Sequence, residues 1–281
     1  MLDIILDCFI DTLKVIPFLF CAFLLIEFIE NHLTKKNKSI LTKTKKFGPL
    51  MGGVFGMIPQ CGFSALATNL FSSRVITMGT LIAVYLSTSD EMLPILLSGG
   101  ISILSSLKIL FIKAIIGIIF GYLIDIIYRK QIINENREGV ECFDTNCDCN
   151  DNIFLASIKH TLMISLYIFI ASIITSLIVN TIGVSSIKSF ISKAGILSYI
   201  CCSIIGLIPN CSASVILTEV YISNIITLGQ LFSGLLTGSG IGILILFRVN
   251  KSFKKNLLIV SYIYTIGIIM GFIIDLLGIT L

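Results

Sequence analysis

Two short motifs carry the strongest chemical signal in this chain of 281 residues: Pro59-Gln60-Cys61-Gly62 and Pro209-Asn210-Cys211. Each places a proline, an amide side chain and a thiol inside an apolar stretch, and a serine, Ser64 or Ser214, follows three residues after the cysteine. Proline removes a backbone donor and disturbs the turn before it. Pro59, Gly62 and Pro209 therefore read as structural breaks. Gln60, Cys61, Ser64, Asn210, Cys211 and Ser214 are the candidate substrate-binding residues. Carbonyls freed at a break, with the amide oxygens, suit a cation. Freed amides at the start of the next half-helix suit an anion or electron-rich group. A thiolate suits a soft metal or metalloid. The plainer alternative is a kinked helix whose cysteine is a small apolar filler.

Carboxylates inside apolar segments come next. Asp90 and Glu91 interrupt an otherwise apolar run, and Glu219 stands in the second half of the chain where Asn69 stands in the first. A carboxylate at mid-membrane costs at least about 2.5–3.5 kcal/mol on the insertion scale, so it normally serves a pathway or a partner. Asp90, Glu91 and Glu219 are candidate coupling groups, either cation ligands or proton carriers. Cys61, Cys211, Asp90 and Glu91 together form a candidate metal set. A position of Asp90 or Glu91 near the membrane surface is the competing reading. Asp11 and Lys14 are three residues apart and suit a pair on one helical face. Glu27 shares their segment, and His160 lies on the corresponding segment of the second half. That histidine is either a titrating group or a satisfied helix-end residue. Asp125 and Asp275 fall near segment ends, where an interfacial role fits. Cys142, Cys147 and Cys149, with Asp144 and Asp148 among them, give a weaker metal-collecting signal; C-x4-C-x-C is not a standard zinc spacing, and solvated loop thiols explain it equally well.

The segments that must position these groups are membrane spans. Of the residues, 56% are hydrophobic and only 13% charged, with mean hydropathy +1.01. A soluble domain is about 45–50% apolar and about 25% charged. This composition excludes a soluble enzyme, a disordered chain and a nucleic-acid module. The net charge of +4 comes from short basic loops between apolar runs, which is a topology signal. Segments long enough to span are expected at 5–32, 47–72, 75–97, 103–128, 153–181, 195–223, 225–247 and 256–280, with 47–72 and 195–223 each split into two half-helices of about a dozen residues. Re-entrant hairpins and pairs of short spanning helices both fit those split segments. The opening residues lack a basic region before the first apolar run, so no cleavable signal peptide is expected. Most of the nine cysteines lie in apolar segments, which is not the pattern of a disulfide framework.

The chain repeats itself at an offset of 150. Residues 56–81 (GMIPQCGFSALATNLFSSRVITMGTL) and 206–231 (GLIPNCSASVILTEVYISNIITLGQL) are identical at eleven of 26 positions. The same offset pairs Gly117, Gly121 and Asp125 with Gly267, Gly271 and Asp275. Proline, cysteine, threonine, glycine and aspartate match as well as isoleucine and leucine do, so composition alone does not account for it. Basic loops at 34–46, 129–130 and 248–255 belong on the cytoplasmic side. The strong loop follows the first segment in one half and a later segment in the other, so the halves take opposite orientations. The expected architecture is an all-α polytopic membrane protein of two inverted-topology repeats with broken helices. Repeat 1 covers 1–130, a cytoplasmic linker 131–152, and repeat 2 153–281. The N-terminus falls outside. Inverted repeats and paired broken segments are the marks of secondary transporters.

The stretch IPQCGFSALATNLFSSRVITMGTLIAVYLSTSDEMLPILL resembles the signature of the ten-helix heavy-metal exporters, variously labelled arsenic efflux proteins or manganese transporters. Asp11-Thr12 through Pro17-Phe18-Leu19 to Glu27, Lys159-His160-Thr161 and the cysteine-containing linker resemble the same family. The paired Pro-x-Cys breaks are similar, more distantly, to permeases implicated in organoarsenical efflux. The resemblance implies ten transmembrane segments, five per repeat, and highlights Thr88 and Ser89 beside the residues above. It departs from the family in a linker poor in histidine. The expected function is secondary active export of a metal or metalloid ion, arsenite-like or manganese-like, across the cytoplasmic (inner) membrane by alternating access. A permease for a small organic or oxyanion solute is the alternative. No nucleotide-binding P-loop occurs in the sequence, so a proton or sodium gradient is the expected drive. No catalytic residue, no cofactor and no nucleic-acid partner are expected; the partners are the lipid bilayer and the transported solute, and a homo-oligomer is compatible. A thiol-dependent intramembrane enzyme is the third reading, disfavoured because enzymes seldom duplicate a nucleophile.

Overall fold

A computed structural model describes residues 9–10, 12–13, 16–17, 20–21, 24, 38–58, 61–88, 92–128, 158, 161–163, 165–166, 169–170, 173, 195–250 and 252–279. The expectations on Asp11, Lys14, Glu27, Pro59, Gln60, Ser89, Asp90, Glu91, His160 and the linker cysteines fall outside those residues, as do the side chains of Cys61, Cys211 and Ser212.

Among the described residues the secondary structure is wholly helical. The first half contains α1 (Lys38–Gly56), α2 (Cys61–Ser72), α3 (Met78–Ser87), α4 (Met92–Ser98) and α5 (Ile103–Ile127). After a 3-10 turn at Gly195–Leu197, the second half contains α6 (Ser198–Gly206), α7 (Cys211–Ile222), α8 (Leu228–Thr237), α9 (Gly242–Val249) and α10 (Phe253–Leu276). Helices α2 and α7, and α3 and α8, begin and end 150 residues apart. The offset read from the sequence is therefore also the offset of the secondary structure. Even the tight turns agree: Arg74 and Asn224 both take left-handed backbone, at φ 59° and 55°.

Local chemistry sets the ends of these helices. Thr77 caps α3 by accepting the Thr80 N–H, and Thr227 caps α8 by accepting from Gln230, whose side chain returns the bond to complete a capping box. Ser102 caps α5 by accepting the Ser105 N–H at 3.1 Å. Pro94 sits in the first turn of α4, where its missing N–H costs no intrahelical bond.

Small residues set the packing directions. A Cβ on Gly48 would meet Thr80, on Gly52 Thr80 and Val84, and on Gly56 Val84 and Ser87, so α1 runs parallel to α3. A Cβ on Gly79 would meet Gly121 and Asp125, and one on Gly117 would meet Ala83, so α3 runs antiparallel to α5. The chain thus leaves α1 beside the C-terminal end of α3 and re-enters at the N-terminal end of α3. Helix α2, twelve residues or about 18 Å long, has to cover that distance backwards. Helices α1 and α2 are therefore the arms of a hairpin, not collinear halves of one span. The second half does the same: Ser233 donates to the Tyr199 carbonyl (2.7 Å) and Thr237, one turn on, to the Ser203 carbonyl (3.0 Å), so α6 runs parallel to α8 and α7 returns.

Among the described residues four stretches are long and apolar enough to cross a membrane: Met78–Ser98, Ile103–Ile127, Leu228–Val249 and Phe253–Leu276. The first and third are the interrupted pairs α3–α4 and α8–α9, and they form the inside of the bundle. The second and fourth, α5 and α10, lie outside and expose Phe111, Ile115, Ile119, Leu257, Ile269 and Phe272, as helices facing lipid do. Close backbone contact through glycine is the usual packing device where lipid removes the hydrophobic drive between helices. The second arm of each hairpin reaches into the other half: α2 packs against α9, and α7 against α4.

Candidate functional site

Each inner span is broken, and the breaks create the site. Helix α3 ends when the Thr88 N–H bonds the Val84 carbonyl, and α8 ends when the Gly238 N–H bonds the Gly234 carbonyl. Helices α4 and α9 resume at Met92 and Gly242. Sequence reasoning put breaks only at the Pro-x-Cys motifs and missed these two. The signal was present as two polar or glycine-rich runs, Thr88-Ser89-Asp90-Glu91 and Gly238-Ser239-Gly240, at the same offset inside apolar segments.

The second Pro-x-Cys motif forms a hairpin tip. At the second tip α6 closes at Leu207, the backbone bends through Pro209, and the Asn210 carbonyl accepts the Ala213 N–H at 3.2 Å to start α7. Cys61 and Cys211 are the first residues of α2 and α7. The apolar part of each hairpin arm is short, Phe47–Gly56 in α1 for example. Ten residues rise about 15 Å, half of a hydrocarbon core of about 30 Å.

One pocket gathers these features. It is lined by Thr88 from the first break, Gly238 and Gly240 from the second, Asn210 and Ser214 from the second hairpin tip, and Lys113 from α5. Lys113 was not singled out in the sequence. It is 1% exposed and donates from Nζ to the Thr88 carbonyl at the end of α3. Its place, eleventh in a helix of 25 residues, puts it about 15 Å from one end of the span and about 21 Å from the other, near mid-depth. A basic residue deep in so apolar a span, five positions after Lys108, was the signal available for it, since intramembrane charge marks function by default. At the same position the second half has Ile263, also fully buried.

The predicted residues separate into those on the pocket and those away from it. Asn210 and Ser214 line it. Ser64 is fully buried but lies beside α9: a Cβ on Gly242 would stand 3.0 Å from its Cβ and 2.7 Å from the Tyr85 ring. There Thr68 Oγ1 bonds the Tyr85 hydroxyl (2.5 Å) and reaches the Ser64 and Gly242 carbonyls (2.6 and 3.3 Å), so polar side chains fill the junction of the first hairpin with the second break. Gly62 is buried in the first turn of α2. Glu219 is exposed on α7, eight residues or about 12 Å along the helix from Cys211, and does not line the pocket. Asp125 and Asp275 lie near the ends of α5 and α10, and each accepts a backbone N–H at the start of the neighbouring inner helix, from Gly79 in α3 and Gly229 in α8. Among the described residues no three histidine, cysteine or acidic side chains cluster as a metal site, and Cys21, Cys201 and Cys202 are free thiols.

A family model described as "Putative, 10TM heavy-metal exporter" matches residues 1–157, more than half of the chain. The chain belongs to that family. It is thus a multi-pass membrane protein of a transporter family, as its apolar spans require. The match takes in the first hairpin, the first break and Lys113. No curated protein and no solved structure matches the chain. Among the described residues each half contributes two hairpin arms, one interrupted span and one unbroken span.

Proposed function

We propose that the protein is a secondary transporter that exports a metal or metalloid ion across the cytoplasmic membrane, and that the ion crosses through the pocket between the two breaks. The observation that carries this reading is the convergence, near mid-depth, of both span interruptions, a hairpin tip and the buried Lys113. Non-helical backbone at that depth is tolerated where it lines a cavity, and paired interruptions of this kind are where transporters bind substrate. On this reading the hairpins are re-entrant, and the halves 1–130 and 153–281 are inverted repeats. The reciprocal packing of α2 on α9 and α7 on α4 supports this, because a two-fold relation makes each contact occur twice. The N-terminus faces outward and the linker 131–152 faces the cytoplasm.

Gln60, Cys61, Asn210, Cys211 and Ser214 supply the substrate ligands. The thiols select a soft ion such as arsenite; a harder ion such as manganese would rely on Asp90 and Glu91. These acids follow Thr88 by two and three residues, so the Lys113 ammonium that holds Thr88 is a counter-charge for them. Asp90, Glu91 or Glu219 exchanges the coupling ion. The linker thiols Cys142, Cys147 and Cys149 collect metal at the cytoplasmic mouth.

The test uses everted membrane vesicles that contain the protein. Uptake of arsenite, manganese, zinc and cadmium is measured against vesicles without it. Uptake of at least one of these ions, lost in the Cys61→Ser/Cys211→Ser double variant for arsenite or cadmium, is the expected result. No uptake of any of the four overturns the reading. A second reading, export of a small oxyanion, is favoured by one observation: the lysine and the start of α7 face the same pocket, and both attract negative charge. Uptake of arsenate or phosphate, unaffected by the double cysteine change, would select it.

A further inference from the structure

Helices α2 and α7 hold equivalent places in the two halves, and the same four positions carry polar side chains. They are Ser64, Thr68, Asn69 and Ser73 in the first half, and Ser214, Thr218, Glu219 and Ser223 in the second. Nine residues rise about 13 Å, so each set runs from near the start of its helix to just past the end. Their surroundings differ. In the second half Ser214 lines the pocket, and Glu219 and Ser223 are exposed. In the first half all four are buried, none more than 1% exposed.

Two observations set that burial apart from an ordinary core. Asn69 and Ser73 stand four residues apart, neighbours on one face of the helix. Asn69 Nδ2 donates to the Ala65 carbonyl at 3.0 Å, but Asn69 Oδ1 and Ser73 Oγ have no hydrogen-bond partner among the described residues. A buried polar group left unpaired is costly, and an apolar side chain of the same shape would avoid the cost. The second observation is a tie between helices. About 100° round α2 from Asn69, Thr68 Oγ1 bonds the Tyr85 hydroxyl of α3 and reaches the Gly242 carbonyl at the start of α9. The second half has Leu235 in place of Tyr85, and Thr218 Oγ1 bonds the Ser214 carbonyl of its own helix at 2.7 Å. Helix α2 is thus fastened to the inner spans by a hydroxyl pair that α7 lacks.

We propose that Asn69 and Ser73 line the cytoplasmic half of the substrate path, that the Tyr85–Thr68 tie holds this half shut in the structure, and that the face from Ser214 to Ser223 is the outer half. The assignment rests on the transporter reading above. Helix α1 begins in the basic run of Lys38, Lys43, Lys45 and Lys46, so it enters from the cytoplasm, and α2 returns to that side. The oppositely oriented second half then opens to the outside. When α2 moves away from α3 and α9, Asn69 Oδ1 and Ser73 Oγ gain the water or solute that they lack here. Alternating access needs two such half-paths, of which one is closed at a time.

The test labels Ser73→Cys and Ser223→Cys proteins with a membrane-impermeant maleimide in right-side-out and everted vesicles. Peptide mass spectrometry reads each site, so the natural cysteines do not interfere. The Ser223→Cys thiol is expected to react from the outer face. The Ser73→Cys thiol is expected to react from the cytoplasmic face at least tenfold more slowly. Tyr85→Phe and Thr68→Val, each of which removes the tie, are expected to speed the Ser73→Cys reaction at least threefold. Asn69→Leu removes the unpaired oxygen at similar volume; it is expected to slow metal uptake at least tenfold and to leave the unfolding midpoint unchanged or higher. A Ser73→Cys thiol that reacts as fast as the Ser223→Cys thiol overturns the proposal, as does one whose rate neither Tyr85→Phe nor Thr68→Val raises. A midpoint lowered by Asn69→Leu also overturns it, because that marks a merely structural amide. Metal uptake at the unaltered rate in Asn69→Leu sinks this proposal and leaves the exporter reading. The expected labelling in vesicles that take up none of the four ions sinks the exporter reading and leaves the path, for another solute.

Discussion

The carboxylate of Asp125, near the end of α5, accepts the backbone N–H of Gly79 at the start of α3 at 2.9 Å. It also accepts the Thr77 hydroxyl at 2.6 Å. Asp275 does the same for Gly229 at 2.7 Å, and it binds the hydroxyls of Thr227 and Tyr199. An acid here meets the positive end of a half-span's dipole and ties each broken span to its unbroken neighbour. Asp125→Ala and Asp275→Ala should each lower stability by about 1–3 kcal/mol, the cost of leaving such donors unpaired. The asparagine variants, which keep an acceptor oxygen, should lose less. Denaturant or thermal unfolding in detergent reads both, and equal losses for Ala and Asn would count against the cap.

Glycine at 79 and 229 serves the same contact from the other side. A Cβ at either position would be driven into the carbonyl oxygen of Gly121 or Gly271. Gly79→Ala and Gly229→Ala should therefore sharply reduce the yield of folded protein. Gly100→Ala makes the control. Its Cβ would meet nothing within 4 Å, but its φ of +83° is unfavourable for alanine, at about 1–2 kcal/mol. Size-exclusion profiles of the three variants give the comparison. A monodisperse Gly79→Ala protein would refute the close-packed contact.

Lys113 separates function from folding. Lys113→Met keeps most of the side-chain length and removes the charge, so the helix should still pack. Vesicle transport is expected to fall at least tenfold while the unfolding midpoint moves by only a few degrees. Lys113→Arg should not restore transport, because a planar guanidinium does not replace a compact ammonium in a confined site. Transport at the unaltered rate in Lys113→Met would remove this residue from the pathway.

Tyr85 tests the filled junction opposite the pocket. It is fully buried, and its hydroxyl meets Thr68 Oγ1 at 2.5 Å. Tyr85→Phe should cost about 1 kcal/mol, because Thr68 keeps the Ser64 carbonyl as acceptor. Thr68→Val, which strands the tyrosine hydroxyl, should cost more. The order of the two unfolding midpoints decides the matter.

Much of this architecture was legible in the residues. The offset of 150 survives as helix boundaries and as matched caps at Thr77 and Thr227. The residues shared between halves also acquire a cause: Gly117, Gly121 and Asp125, with Gly267, Gly271 and Asp275, are the contacts between inner and outer spans. Repetition was readable because it needs only a comparison of letters. The relation between neighbouring helices was not. Nothing in the string from Lys38 to Ser72 separates a folded-back hairpin from two collinear half-spans. Both satisfy the same hydropathy, and the choice depends on Gly48 and Gly56 meeting opposite ends of α3.

Composition and spacing thus sufficed for a helical membrane protein with a doubled, interrupted design, because lipid allows few ways to satisfy a backbone and each leaves an apolar length in the sequence. Which groups share a pocket depended on contacts between residues far apart in the chain. Ser64 and Ser214 are equivalent in the repeat, yet Ser214 lines the pocket and Ser64 sits under Tyr85. Lys113 and Gly238 are 125 positions apart and line the same space. Hydropathy and periodicity act along the chain, whereas burial and charge at a site are set by what packs across it.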